Sequence, residues 1–228
     1  MSVRILAAQY LREFRDVEQE RKAANREVVF PPCQGSSFMP GVEGTSLAKR
    51  WLESTTRAQV CWVQPDPVAV SELTFTRPGG TFSYDLGGLL QEGAVHNQLF
   101  LAEVKNYRDA GDQRSLYREY LAKCYRAFSV SPERCDHFLW LTWAPFSSTE
   151  WSKLQSPERV EECTREHWKF NFTSKDEAAS SRLDPEVVQQ VSKRLWRPLV
   201  ISREQIEHLS MSREYLSVIA QYKIGKGV

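Results

Sequence analysis

The chain lacks the residues that build covalently or zinc-stapled scaffolds. Its five cysteines (Cys33, Cys61, Cys124, Cys135 and Cys163) are odd in number, scattered and never paired as CxxC. That pattern argues against a disulfide framework and a structural zinc module, and it predicts reduced, mostly buried thiols in a cytoplasmic protein. The four histidines, His96, His137, His167 and His208, stand apart, so a histidine-built metal centre has little basis. No stretch approaches the roughly 18 apolar residues of a membrane span, so no membrane contact is expected. The opening MSVRILAAQYLREFRD carries charge from Arg4 onward, unlike a secretory signal. A GxxxxGK[ST] loop, a strand-borne GxGxxG and a GxSxG elbow are all missing, which leaves nucleotide-binding and serine-hydrolase readings without support. An excess of one charge is missing as well. Thirty basic and 29 acidic residues give a net +1, a balance that argues neither for nor against nucleic acid, because a binding face can be basic while the rest compensates. A strongly basic chain would be the stronger sign.

What is present reads as one folded α/β unit with an added helical segment. Residues 3 to about 27 carry Ile5, Leu6, Tyr10, Leu11, Phe14 and Val17 at helical spacing, predicting an amphipathic N-terminal arm. The Pro- and Gly-rich run Phe30–Gly41 reads as a loop, placing a boundary between an arm at 1–41 and a main domain at 42–228. A helix is expected from about Gly44 through LAKRWLEST, capped by Thr45 or Ser46. The segments AQVCWV and VAVSELTFT then read as strands, Pro78-Gly79-Gly80 as a turn, and Gly87-Gly88 as another turn. NQLFLAEVKNY is expected to be a central strand, and Asp112 to cap a helix over QRSLYREYLAKCYRAF. DHFLWLTWAPF follows as a strand, then TEWSKLQSPERVEECTREH as a helix broken at Pro157. Asp184-Pro185 opens a further helix, LWRPLVIS is a short strand, and REQIEHLSMSREYLSVIAQY a closing helix. The order predicts a mixed central β-sheet flanked by helices, with a helical C-terminal part.

The chemistry concentrates between Phe82 and Gln113. Asp85 closes a strand-like run, and Glu103-Val104-Lys105 follows 18 residues later (103 − 85) on the next strand. Residues two apart on a strand share a face, so Glu103 and Lys105 project together, and antiparallel pairing brings Asp85 beside them. Two carboxylates and the Val104 carbonyl are hard oxygen donors of the kind Mg²⁺ takes. A nearby ammonium orients water or stabilises charge at phosphorus. The bland alternative is a Glu–Lys pair in water at a strand end. LFLAEVKNY weighs against it, because apolar residues flank the charges on both sides and buried charge is costly unless paired or metal-bound.

This constellation resembles the PD-(D/E)XK nuclease superfamily, the restriction-endonuclease-like fold shared with Holliday-junction resolvases, over Val42 to about Trp143. Asp85 corresponds to the family's strand-ending Asp, with Tyr84 where Pro is usual. Glu103 and Lys105 correspond to its (E/D)xK. Gln113 stands where several branches carry a Gln at the start of the following helix. GVEGTSLAKRWL is similar to the GxxGExxAxxYL helix of resolvase-like members, with Thr45 at the Glu position. Glu43 is therefore assigned as the helix-borne acid, and Glu53 is the other option.

The resemblance implies catalytic roles for Asp85, Glu103, Lys105, Gln113 and Glu43, and metal ligation by Asp85, Glu103 and Val104. The cofactor implied is Mg²⁺, with Mn²⁺ able to substitute. The expected activity is endonucleolytic hydrolysis of DNA, with RNA the less favoured substrate, in defence against foreign DNA or as a toxin. Arg108, Arg114 and Arg118 are candidate phosphate contacts, with Lys123 and Arg126 farther along the same helix. Trp140 and Trp143 read as core residues, Trp151 and Trp168 as core or base-stacking positions. The alternative is a catalytically silent module of the same fold in a larger nucleic-acid-processing complex. Its N-terminal helix would dock to a protein partner or form a homodimer.

Overall fold

The computed structural model describes residues 40–91, 93–106 and 111–226. The predicted 3–27 helix, the arm up to residue 39 and Arg108 lie outside them.

Helix α1 (Pro40–Thr55) begins four residues before the expected Gly44. Proline's fixed φ suits a first turn whose N–H groups have no helical partner, and Glu43 in that turn complements the helix dipole. Strand β1 (Ala58–Val63) follows as expected. The VAVSELTFT segment departs from its strand reading, because Asp66 accepts a hydrogen bond from Val68 N (2.9 Å) and Pro67 takes the first turn. That cap turns Pro67–Leu73 into helix α2, and only Thr74–Arg77 remains as strand β2. β2 pairs with β3 (Gly80–Ser83) as a separate two-stranded hairpin. Gly79 at its tip has φ +74°, a left-handed conformation that glycine adopts without strain.

Strands β4 (Leu86–Leu90) and β5 (Leu99–Lys105) pair antiparallel, with Leu86 opposite Ala102. Gly87 and Gly88 lie inside β4 and form no turn. A Cβ on Gly88 would stand 2.0 Å from the Gln59 carbonyl oxygen, so the missing side chain is what lets β1 lie against β4. Helix α3 (Gln113–Val130) then crosses over to β6 (His137–Thr142), which runs parallel to β5. Asp112 occupies the N-cap position of α3 without making a side-chain cap bond.

Helices α4 (Pro157–Glu166), α5 (Lys175–Ser180) and α6 (Pro185–Arg194) follow, each capped by a side-chain oxygen, from Ser156, Ser174 and Asp184. Pro157, expected as a break, is the first residue of α4. Strand β7 (Leu199–Val200) joins β6 in parallel. The predicted closing helix is two, α7 (Arg203–Leu209) and α8 (Arg213–Lys226); a Ser202–Gln205 capping box starts the first, and Ser212 Oγ accepts from Tyr215 N at the second.

The result is an α/β architecture whose mixed sheet runs β1-β4-β5-β6-β7, with β5 in the middle. Alternation along β5 and β6 divides the core. Phe100, Ala102, Leu139 and Leu141 pack with Ala48 and Leu52 of α1 on one face. Leu101, Phe138 and Trp140 pack with Tyr117, Tyr120 and Leu121 of α3 on the other, together with Phe75 and Phe82 of the hairpin. Among the described residues, no helix is long and apolar enough to cross a membrane.

Because a backbone oxygen and not a pliable side chain crowds Gly88, Gly88→Ala is expected to cost about 3 kcal/mol or more. Urea unfolding of the variant beside the parent checks this, and a loss below about 1 kcal/mol would show that β1 and β4 separate without strain.

Candidate active site

The same alternation that divides the core places charge on the α3 face. Leu101, Glu103 and Lys105 share it, and Glu103 is only 4% exposed. Asp85 reaches the cluster from the residue before β4, where its N–H donates to the Ala102 carbonyl (3.0 Å). One carboxylate oxygen, Oδ2, accepts from Val104 N at 2.7 Å, tying Asp85 to the backbone between Glu103 and Lys105.

Glu103 Oε1 accepts from two ammoniums, Lys105 Nζ at 2.7 Å and Lys123 Nζ at 3.2 Å. Lys123 arrives from the third turn of α3. It stands on the rim of the helix's buried stripe, next to Tyr120 and Cys124. Lys105 Nζ also lies 5.8 Å from the Trp140 ring centroid and Lys123 Nζ 6.0 Å from that of Phe170. The other Glu103 oxygen, Oε2, is buried with no hydrogen-bond partner. Such an orphan is rare in a folded interior, because a desolvated acceptor without a donor costs about 1–3 kcal/mol or more.

The two carboxylates differ in proton affinity. Burial and the neighbouring Glu103 charge push Asp85 up to about 6, against the pull of Val104 N–H and the lysines. Burial works against ionising Glu103 too, but Lys123 and Lys105 outweigh it and hold its carboxyl below the usual range. Glu103 is therefore the fixed anion and Asp85 the group that exchanges a proton near neutrality.

Gln113, at the first turn of α3, is fully buried and accepts from Thr142 Oγ1 (2.6 Å) at the end of β6, while its Nε2 has no partner. It holds strand to helix beside the cluster. Glu43 sits in the first turn of α1, its carboxylate 3.7 Å from the Arg203 guanidinium, and the next residue, Gly44, lies close against Asn106, which follows Lys105. Glu53 accepts from Val60 N (3.2 Å). Arg114 pairs with Glu150 (3.2 Å), and Arg118 is tied to Glu162 (2.8 Å) and Glu166, so both are engaged within the fold.

Asp85 Oδ1, Glu103 Oε2 and the Val104 carbonyl are the hard oxygens that a divalent cation would find here. The unpartnered Oε2 is the observation that fits such an ion. Among the described residues, no three His, Cys, Asp or Glu side chains gather as a metal cluster; this set has two. Lys123 is the member that sequence reading placed only as a phosphate contact. The signal for it was a cation at the edge of an apolar helical stripe that packs on β5. A hollow of about 720 Å³ lies elsewhere, between α1 and α8, lined by Lys49, Glu53 and Met211 among others. Comparison with known proteins finds no matching family model, no matching curated protein and no matching solved structure.

The folded value for Asp85 lies above its ordinary 3.8, so the folded chain binds this proton more tightly than the unfolded chain does. Its contribution to stability is present in acid and is lost as pH rises through about 6. Carboxyl NMR titration should give Asp85 a midpoint near 6 in the parent, and a lower one in Glu103→Gln, which removes the adjacent negative charge. An unmoved midpoint would disprove the coupling.

Proposed function

We propose that the chain is a divalent-metal-dependent nuclease that hydrolyses phosphodiester bonds of DNA on a restriction-endonuclease-like core. The observation carrying this reading is the buried Glu103 carboxylate, with one oxygen on two lysines and the other on nothing, beside an Asp85 that anchors to the same strand. The order of the main-sheet elements supports it as well: α1, the antiparallel strands β1, β4 and β5 (with α2 and the hairpin inserted after β1), the crossover helix α3 and the parallel strand β6, with Glu103 and Lys105 on the middle strand.

In this mechanism Asp85, Glu103 and the Val104 carbonyl would hold Mg²⁺ or Mn²⁺. Such an ion would supply Lewis acidity toward the phosphate and toward water. Lys105, fixed by Glu103, presents its ammonium to the attacking water and to the negative charge that builds on the phosphoryl oxygens. Water oxygen bonds to phosphorus as the bond to the leaving oxygen breaks; the water gives up a proton, and the leaving oxygen takes one. Gln113 acts through Thr142 by keeping the start of α3 in register with β6, a positioning role. The chain has no helix-turn-helix or zinc-finger signature, which suits cutting without sequence reading, in defence against foreign DNA or as a toxin.

Supercoiled, linear and branched DNA incubated with Mg²⁺, Mn²⁺ or EDTA should be cut only with metal. Glu103→Ala and Lys105→Ala should each lose about 100-fold or more in rate. Cutting in EDTA, or a Lys105→Ala variant as fast as the parent, would sink the assignment.

One observation favours the second reading, a catalytically silent interaction module. On α8, Tyr215, Val218 and Tyr222 are more than 60% exposed and Ile219 39%, at the i, i+3, i+4, i+7 spacing of a docking stripe. If this stripe pairs two copies, light scattering gives a dimer mass for the parent and a monomer mass for Val218→Asp/Ile219→Asp. Equal masses would remove dimerisation through α8.

A further inference from the structure

Beside the charged cluster, the turn His167–Phe170 and the end of β2 enclose a hollow of about 300 Å³. Its donors are unengaged in an unusual way. The Arg77 guanidinium lies over the Phe170 ring, 5.0 Å from the centroid, and its Nε is buried with no hydrogen-bond partner. His167 Nε2, lining the same hollow, is also buried with no partner. Lys169 Nζ stands 5.9 Å from the Trp168 ring centroid. The two acids that line the hollow are already matched, Glu166 by Arg118 and Glu119 by Lys123. Two cations and a buried imidazole are thus left facing a cavity, an arrangement that calls for an anion.

Position gives that anion an identity. Lys123 Nζ approaches the same Phe170 ring from the catalytic side, at 6.0 Å, while it holds Glu103 at 3.2 Å. Glu103, Lys123, Phe170 and Arg77 therefore form one continuous line leading out of the cluster. A second hollow of about 430 Å³ shares Arg77, Trp168 and Lys169 and runs on to the hairpin tip at Pro78 and Gly79. Arg77 and Lys169 line both hollows; two cations facing one extended surface suit a phosphodiester chain better than a lone phosphate, and the half-buried Trp168 indole offers a surface for a base.

Resting on the nuclease reading above, we infer that this groove binds the backbone of the strand being cut, on one side of the scissile phosphate, through Arg77, His167 and Lys169. It binds a single strand or a frayed end, and it gives affinity and register without reading sequence.

The test is fluorescence anisotropy of the full chain with labelled oligodeoxythymidine in EDTA, where no cutting occurs. Arg77→Gln/Lys169→Gln should weaken binding about tenfold or more and reduce the log–log salt slope by about 1.4, since each phosphate left unneutralised on a single strand lowers it by about 0.7. Arg50→Gln/Lys153→Gln, which removes two cations elsewhere, should bind like the parent. Should Arg77→Gln unfold the hairpin by circular dichroism, Lys169→Gln/Trp168→Ala carries the test with the same expected weakening. Binding of the groove variants within twofold of the parent overturns the inference. So does an equal weakening in the control pair, or a parent that takes inorganic phosphate but no oligonucleotide. Metal-dependent cutting with an unchanged KM in the groove variant removes the groove and leaves the nuclease. Loss of binding in a chain that never cuts keeps the groove and removes the nuclease.

Discussion

Glu103 lies in the middle strand of a five-stranded sheet with almost none of its surface in water. An isolated carboxylate at that depth would carry a desolvation penalty of several kcal/mol, enough to erase much of a domain's net stability. Two ammoniums offset the penalty, and they come from different elements, Lys105 from the same strand and Lys123 from the crossover helix. The charge therefore constrains the architecture. If α3 slid by one turn along the sheet, Lys123 would leave Glu103, and the buried anion would keep Lys105 as its one compensating charge. Helix position, strand register and site geometry are set by a single ion cluster of two carboxylates and two lysines.

The two faces of the sheet serve different ends. The α1 face is mainly apolar, and α1 meets it with Ala48 and Leu52 at helical spacing. The α3 face combines the charges with a run of aromatic rings, in which Tyr84, Tyr120, Trp140, Tyr117 and Phe146 meet edge-on or tilted at about the separations such pairs favour. Those rings pack against the buried side of the cluster, where low polarity strengthens each electrostatic contact. The hairpin β2–β3 closes this side, and Asp85 sits where the chain leaves the hairpin and enters β4.

Much of this was legible from residues alone because strand chemistry is local. The period-two spacing of Glu103 and Lys105, and the return distance from Asp85, required only that two consecutive strands pair, which β4 and β5 do. Asp184-Pro185 announced α6, as cap and first-turn proline together do. The departures came where a short-range bond overrode a pattern. Asp66-Pro67 converted a β-branched run into α2, and Pro40 began α1 ahead of the glycine that looked like its boundary. Gly87-Gly88 read as a turn because glycine marks turns, yet here it admits the β1 backbone, a contact that exists only in three dimensions. Lys123 shows the same limit for the site. Nothing along the chain says that α3 rather than α1 covers the charged face, and only the order and sidedness of the sheet decide which helix delivers its side chain.

An ammonium held above an indole is also an optical arrangement. Lys105 lies over Trp140, whose ring is wholly buried among tyrosines that pass excitation to it. The field of a positive charge at that distance shifts the emission of the ring beneath it. Any event that draws Lys105 toward a new anion, or displaces it from Glu103, changes the light this tryptophan returns. Among the chain's seven tryptophans, Trp140 is thus the one whose emission follows the position of Lys105.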